Sequence, residues 1–349
     1  MELLAISDTY IPAAVMAAGL RTLDDLGIRV TVRPWEHDTL VGLQKANLVI
    51  EEGGPDAIQL PDTLQEDVGR FEILVTQFAP VGRRLLEAAT RLKVIGVLRG
   101  GTENVDVPWA TSRGIGVLNT PGRNARAVAE CTLGLILSEI RNIARSHAAL
   151  KAGQWRRDYP NHLAIPELNE KIVGLIGYGE VGRLVGRYLA AFGSRIVAYD
   201  PYAKGDPRPA ELVDLPTLLR QSDVVSLHAR LTEASRGLMG TGEFALMKPS
   251  AVLVNTARSG LIDERALVEA LAQRRIMGAA LDVFDVEPLP ADHPLLALDN
   301  VTITPHLAGS TIDAFHNSPA RMAVHLRNLL SGCPELPLVN GIRPVLRPA

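Results

Sequence analysis

Cysteine is almost missing from this chain: Cys131 and Cys333 are the only two in 349 residues, and they lie far apart. That excludes a disulfide framework and points to a reducing, cytoplasmic setting. There is no uninterrupted apolar run of about 18 residues, so no membrane-spanning helix is expected. Neither sign of charge dominates, with 36 Lys and Arg against 39 Asp and Glu and a net charge of −3. Without a basic patch or tail, a nucleic-acid or membrane partner is not expected. The N-terminus carries Glu2 and Asp8 where a secretory signal would carry basic residues. No metal site is expected.

What is present is an ordinary globular composition, 47% hydrophobic and 21% charged, in a chain long enough for two domains. Short apolar strands alternate with helices. Strands are expected at Glu2–Ile6, Arg29–Val32, Ile73–Thr76 and Lys93–Val97. Helices are expected from Pro12 to Leu26, with Gly27 as its cap, and from Gly82 to Thr90. The pattern weakens from Pro34 to Gly69, which stays unassigned apart from an acidic turn at Glu51–Asp56. Asn124 to His147 reads as one long helix with Asn124 at its N-cap. An aromatic, Pro-bearing connector, Trp155–Pro166, follows.

The centre of the chain is Val173-Gly174-Leu175-Ile176-Gly177-Tyr178-Gly179-Glu180-Val181-Gly182. It reads as a strand, a tight turn and the start of a helix, with G-x-G-x-x-G spacing. Gly177 permits the turn, Gly179 allows a pyrophosphate to approach the backbone, and Gly182 lets helix and strand pack closely. Tyr178, Glu180 and Val181 belong to the same turn. Alone, this spacing is also that of an ordinary glycine turn. The next strand, Arg195–Tyr199, ends on Asp200, roughly 20 residues past the last glycine. There a carboxylate accepts hydrogen bonds from the adenosine ribose and repels a 2′-phosphate, which favours NAD over NADP. A turn-capping aspartate is the other reading of Asp200.

Further strands at 223–227, 251–255, 278–281 and 301–303 complete a doubly wound parallel sheet, whose ligands collect at the carboxyl ends of its strands. The residues following those ends are His228-Ala229-Arg230, Thr256-Ala257-Arg258, Asp282 with Glu287, and Pro305-His306. Among them are the groups that reduction of a 2-oxo acid needs. Arg258 can hold a carboxylate or polarise a carbonyl. His306 can supply the proton to a developing alkoxide, and Glu287 can favour its imidazolium form.

Four blocks, Val254–Arg258, Asp263–Leu267, Gly278–Leu289 and Thr304–Gly309, are similar to the signature blocks of the D-isomer-specific 2-hydroxyacid dehydrogenases. The resemblance runs from about Ile73 to about His325. Gly101–Asp106 and Asn119–Glu130 are closest to the phosphoglycerate dehydrogenase branch. The resemblance implies a catalytic set of Arg258, Glu287 and His306. It implies nicotinamide contacts from Asp282 and the Thr256–Ala257 backbone. His228, Ala229 and Gly309 would join the cofactor site, and the Arg99-Gly100-Gly101 loop would grip the substrate carboxylate.

The implied fold is α/β with two domains. A Rossmann-type NAD-binding domain, 120–312, is inserted into a flavodoxin-like substrate domain, 1–119 and 313–349, and the substrate binds in the cleft between them. The implied partner is a small 2-hydroxy or 2-oxo acid, and the implied assembly a homodimer. One departure stands out. Phosphoglycerate dehydrogenases carry an arginine-bearing segment where this chain has Thr76-Gln77-Phe78-Ala79, which leaves Arg99 as the substitute. Two alternatives are a phosphoglycerate or sugar-acid dehydrogenase proper and an NAD(H)-sensing corepressor.

Overall fold

Runs such as Ile73-Leu74-Val75-Thr76 and Val94-Ile95-Gly96-Val97 are apolar at every position rather than at alternate ones, as strands buried on both faces are. A computed structural model, describing residues 1–161 and 165–346, places them at the middle of a parallel sheet. Residues 162–164 of the Trp155–Pro166 connector and the last three residues lie outside the described residues. The chain divides into two compact units, Met1–Arg123 with Thr311–Ala349, and Asn124–Ser310.

The first unit holds β1 (Glu2–Ser7), β2 (Arg29–Pro34), β3 (Ile73–Thr76), β4 (Val94–Val97) and β5 (Gly116–Asn119), in the order β2-β1-β3-β4-β5. All four pairings are parallel, the flavodoxin-like arrangement. One face is closed by the helices Ala13–Leu20 and Ser318–Leu330, through Met16, Leu20, Met322, Ala323 and Leu326. Gly96 makes room for the Met322 side chain, whose Sδ would lie 2.8 Å from a Cβ placed there. The expected helix from Pro12 to Leu26 is α-helical only to Leu20 and continues as a 3-10 helix to Leu26, with Gly27 left-handed at φ +69.

The other face is covered in part by a helix within the unassigned region, Leu40–Gly53. Thr39 Oγ1 caps it by accepting the Gly42 N–H at 3.0 Å, and Leu43, Ala46 and Ile50 are its buried residues. The acidic turn expected at Glu51–Asp56 is in its first part the end of this helix.

The second unit holds β6 (Ile172–Ile176), β7 (Arg195–Tyr199), β8 (Glu211–Leu212), β9 (Val224–Leu227), β10 (Val252–Asn255), β11 (Gly278–Leu281) and β12 (Val301–Ile303). Their order is β12-β11-β10-β9-β6-β7-β8, all parallel. The order reverses between β6 and β9, the place where a doubly wound sheet opens a crevice for a ligand.

The single long helix expected over 124–147 is two helices, Ala125–Ile140 and Ile143–Lys151. Asn142 breaks it by taking a left-handed φ of +57. A later residue stabilises the break: Asn161 donates Nδ2 to the Ile140 carbonyl at 2.9 Å and accepts from Asn142 Nδ2 at 2.6 Å. Asn124 sits at the N-cap without a side-chain capping bond. Its amide fills the space where Gly309 lacks a side chain.

Candidate active site

The glycine turn leaves β6 directly into the helix Glu180–Ala191. Gly177 has φ +92, and a Cβ there would lie 2.5 Å from the Ala229 nitrogen. Only glycine lets the turn rest against the exit of β9. A Cβ on Gly182 would run into the Gly177 carbonyl, whereas Gly179 is exposed and faces open space. The helix starts with no side-chain cap, so its first N–H groups are offered outward with the positive end of the helix dipole. A pyrophosphate fits this cradle.

Asp200 is placed by the end of β7. Its Oδ2 accepts the Tyr178 N–H at 2.8 Å and its Oδ1 accepts the Tyr202 N–H at 2.8 Å. The carboxylate therefore braces the glycine turn from the neighbouring strand. The turn-capping contacts are the ones the structure shows for this residue.

His228 follows β9 and donates its backbone N–H to the Ile176 carbonyl at 2.7 Å. Its Nε2 lies 3.0 Å from Ser226 Oγ, while its Nδ1 is sealed from solvent without a partner. Desolvation pushes its pKa from 6.5 down to about 3, so the ring is neutral at physiological pH. At the end of β10, Asn255 clasps the next turn. Its Oδ1 accepts the Ala257 N–H at 3.0 Å and its Nδ2 donates to the Arg258 carbonyl at 2.9 Å. Thr256 is buried, with Oγ1 2.7 Å from Thr132 Oγ1. Arg258 is exposed and donates one Nη1 bond back to the Ala257 carbonyl at 2.7 Å.

Asp282 follows β11 and is buried. Its Oδ1 accepts from Thr304 Oγ1 at 2.5 Å and from the Leu307 N–H at 3.0 Å, and its Oδ2 accepts from the Ala308 N–H at 2.9 Å. The side chain expected at the nicotinamide thus holds the loop that carries His306. His306 itself is left-handed, with φ +49, a conformation a non-glycine residue keeps only when its surroundings enforce it. Its Nδ1 lies 2.7 Å from Glu287 Oε2, and Glu287 Oε1 accepts the Phe284 N–H at 3.0 Å. Both side chains are exposed, and Nε2 is the ring nitrogen that Glu287 does not engage.

In the first unit, Arg99 follows β4 but is not a free cation. It pairs with Glu51 at 3.0 Å and with Glu103, and donates to Asn47 Oδ1 at 2.9 Å. Gly100 is exposed, with its carbonyl accepting from Asn119 Nδ2 at 2.6 Å. Asn255 and Thr304 contribute to the site without having been singled out from the sequence, although both lie inside the family-like blocks Val254–Arg258 and Thr304–Gly309.

Fold and site together define a dinucleotide-binding dehydrogenase. Residues 133–308 match the model of the D-isomer specific 2-hydroxyacid dehydrogenase NAD-binding domain. A hydroxypyruvate reductase from Thermotoga maritima is 43% identical over 257 residues, covering 72% of this chain and 83% of that one. A D-3-phosphoglycerate dehydrogenase from Methanocaldococcus jannaschii is 42% identical over 276 residues, covering 78% of this chain and 52% of that longer one. Among solved structures, TT0316 from Thermus thermophilus aligns over 99% of this chain and 100% of its own at 31% identity, with a TM-score of 0.69. The chain belongs to the D-isomer specific 2-hydroxyacid dehydrogenase family. It is an NAD-dependent oxidoreductase of 2-hydroxy acids.

Proposed function

We propose that the protein interconverts an unphosphorylated D-2-hydroxy acid and its 2-oxo acid, with the second unit as the NAD domain and the first as the substrate domain. The observation carrying this reading is the Glu287–His306 contact at 2.7 Å, on a loop anchored by Asp282. Bound NAD supplies the hydride chemistry. Gly177, Tyr178, Gly179, Glu180, Val181 and Gly182 form the turn that receives its pyrophosphate, and Asp200 receives its ribose. His228, Ala229 and Gly309 line the same site, and the Thr256–Ala257 backbone orients the nicotinamide. His306 gives a proton to the substrate carbonyl oxygen in reduction and takes it from the hydroxyl in oxidation. Glu287 fixes the tautomer and stabilises the imidazolium. Arg258 anchors the carboxylate and polarises the carbonyl, and the backbone at Gly100 and Gly101 adds carboxylate donors.

Two observations favour an unphosphorylated substrate. The segment Thr76–Ala79 has no arginine, and the Arg99 charge is already met by Glu51 and Glu103. The proposed assembly is a homodimer. The helix Ile143–Lys151 has no buried residue, leaves Ile143 and Leu150 exposed, and leads to an exposed Trp155. Operation in the cytoplasm is supported by two free cysteines. Among the described residues no helix is long and apolar enough to cross a membrane.

Assay of 2-oxo acids with NADH, and of 3-phosphoglycerate with NAD, tests the reading. Turnover of unphosphorylated acids with little on 3-phosphoglycerate is expected. A clear preference for the phosphorylated acid would overturn the substrate assignment. NADH binding without any turnover would overturn the enzyme assignment.

A further inference from the structure

The turn that carries Arg258 is held by more than its own strand. The helix Ala125–Ile140 packs on the sheet of the second unit, with Ala129, Leu135 and Ile136 in one buried cluster with Val252, Val254 and Ala280. A polar bond fixes its later half: Glu139 Oε2 accepts from Thr302 Oγ1 on β12 at 2.6 Å. Midway along the helix, Thr132 meets the turn after β10, with its Oγ1 2.7 Å from Thr256 Oγ1. Both threonines are buried. Thr132 lies outside the family-like blocks.

The proton of that contact can be placed. Thr132 Oγ1 also lies 2.7 Å from the Val128 carbonyl, which can only accept. A hydroxyl has one proton to give, and Thr132 gives it to Val128. Thr256 is therefore the donor to Thr132. The chain of bonds runs one way, from Thr256 through Thr132 to the Val128 carbonyl, and ends in the backbone of the helix.

Thr256 sits inside the clasp of Asn255, whose Oδ1 accepts the Ala257 N–H at 3.0 Å and whose Nδ2 donates to the Arg258 carbonyl at 2.9 Å. The two devices act differently. Asn255 closes the turn on itself and sets its shape. Thr132 ties the turn to a neighbouring element and sets its place. Without the Thr132 oxygen, a buried hydroxyl loses its acceptor, and the backbone leading to Arg258 shifts as that hydroxyl seeks another.

We propose that Thr132 is a positioning residue for Arg258, acting through the Thr256 hydroxyl. This rests on the reading of Arg258 as the substrate anchor. Thr132→Val keeps the shape and loses the hydroxyl, whereas Thr132→Ser keeps the hydroxyl and loses a methyl group. A packing role and a hydrogen-bonding role therefore predict opposite orders for the two variants.

Steady-state kinetics use NADH and whichever of glyoxylate, pyruvate and hydroxypyruvate the wild type turns over fastest. Thr132→Val should lower kcat/KM for the 2-oxo acid by about ten-fold, mainly through KM, with a smaller change in the Kd for NADH. Thr132→Ser should recover most of that loss. A Thr132→Val enzyme equal to the wild type, or a larger loss in Thr132→Ser than in Thr132→Val, overturns the proposal. If Thr132→Val does not fold, Thr132→Ala replaces it, since it differs from Thr132→Ser only in the hydroxyl, and equal losses in those two overturn the proposal. Hydrogen-exchange mass spectrometry of the full chain, over a peptide spanning 255–258, reads the anchor without turnover. Faster exchange in Thr132→Val than in Thr132→Ser, with no turnover by the wild type, leaves the anchor standing and removes the dehydrogenase reading. Turnover with equal exchange in the two variants does the reverse.

Discussion

Asp282 accepts the Ala308 N–H at 2.9 Å and so fixes the backbone on the far side of His306. With Thr304 on the near side bound to the same carboxylate, His306 is held between two anchor points by one buried side chain. Asp282→Asn keeps the shape but turns one acceptor oxygen into a donor facing an N–H or hydroxyl partner. A shift of about 1 Å at a reacting group costs up to about 10²-fold in rate. The expected result is a fall of about 10- to 100-fold in kcat, with a smaller change in NADH affinity measured by fluorescence. An unchanged kcat would show that His306 holds its place without this anchor.

His306 and Glu287 form one unit through their 2.7 Å contact. General acid–base catalysis contributes typically about 10²- to 10⁴-fold, so His306→Gln should lower kcat by that order. Glu287→Gln keeps a hydrogen-bond acceptor for Nδ1 and should cost less. The double variant should be no slower than His306→Gln, because the carboxylate acts only through the ring. Additive losses in kcat would contradict the pairing. Steady-state kinetics of the three variants decide it.

How much of this was legible beforehand depends on how local its cause is. β3 and β11 could be read because burial on both faces leaves uninterrupted apolar runs. The glycine turn could be read because Gly177 and Gly182 answer to backbone atoms near them in sequence or on the next strand. The helix Leu40–Gly53 was hidden because exposed Val41, Leu48 and Val49 blur the period of Leu43, Ala46 and Ile50. The break at Asn142 depends on Asn161, beyond any helical window. The anchoring role of Asp282 depends on a loop 25 and 26 residues away, which motif spacing marks without explaining.

Asp200 should decide between the two nicotinamide cofactors. Its carboxylate braces Tyr178 and Tyr202 while disfavouring a 2′-phosphate. Asp200→Ser removes the charge and can retain one acceptor for the turn. The ratio of kcat/KM for NADPH over NADH should rise by at least about ten-fold, the size expected when a like-charge clash is removed. Loss of activity with both cofactors and a lowered Tm would instead mark Asp200 as mainly a brace for the turn.

His228 predicts a specific acid sensitivity. Its folded pKa, lowered to about 3 by desolvation, lies below the 6.5 of the unfolded chain. Between these values the unfolded state binds the proton and the folded state does not, so stability falls as pH drops through this window. The slope from this one group is on the order of 1.4 kcal/mol per pH unit. Above pH 6.5 it contributes nothing to the pH dependence. His228→Gln keeps a polar side chain near Ser226 and cannot be protonated. Urea unfolding of the cofactor-free protein at pH 7 and pH 4.5 should show a smaller acid loss in the variant than in the wild type. Equal losses would mean that His228 takes up its proton in the folded state, with a ring accessible enough to hold the charge.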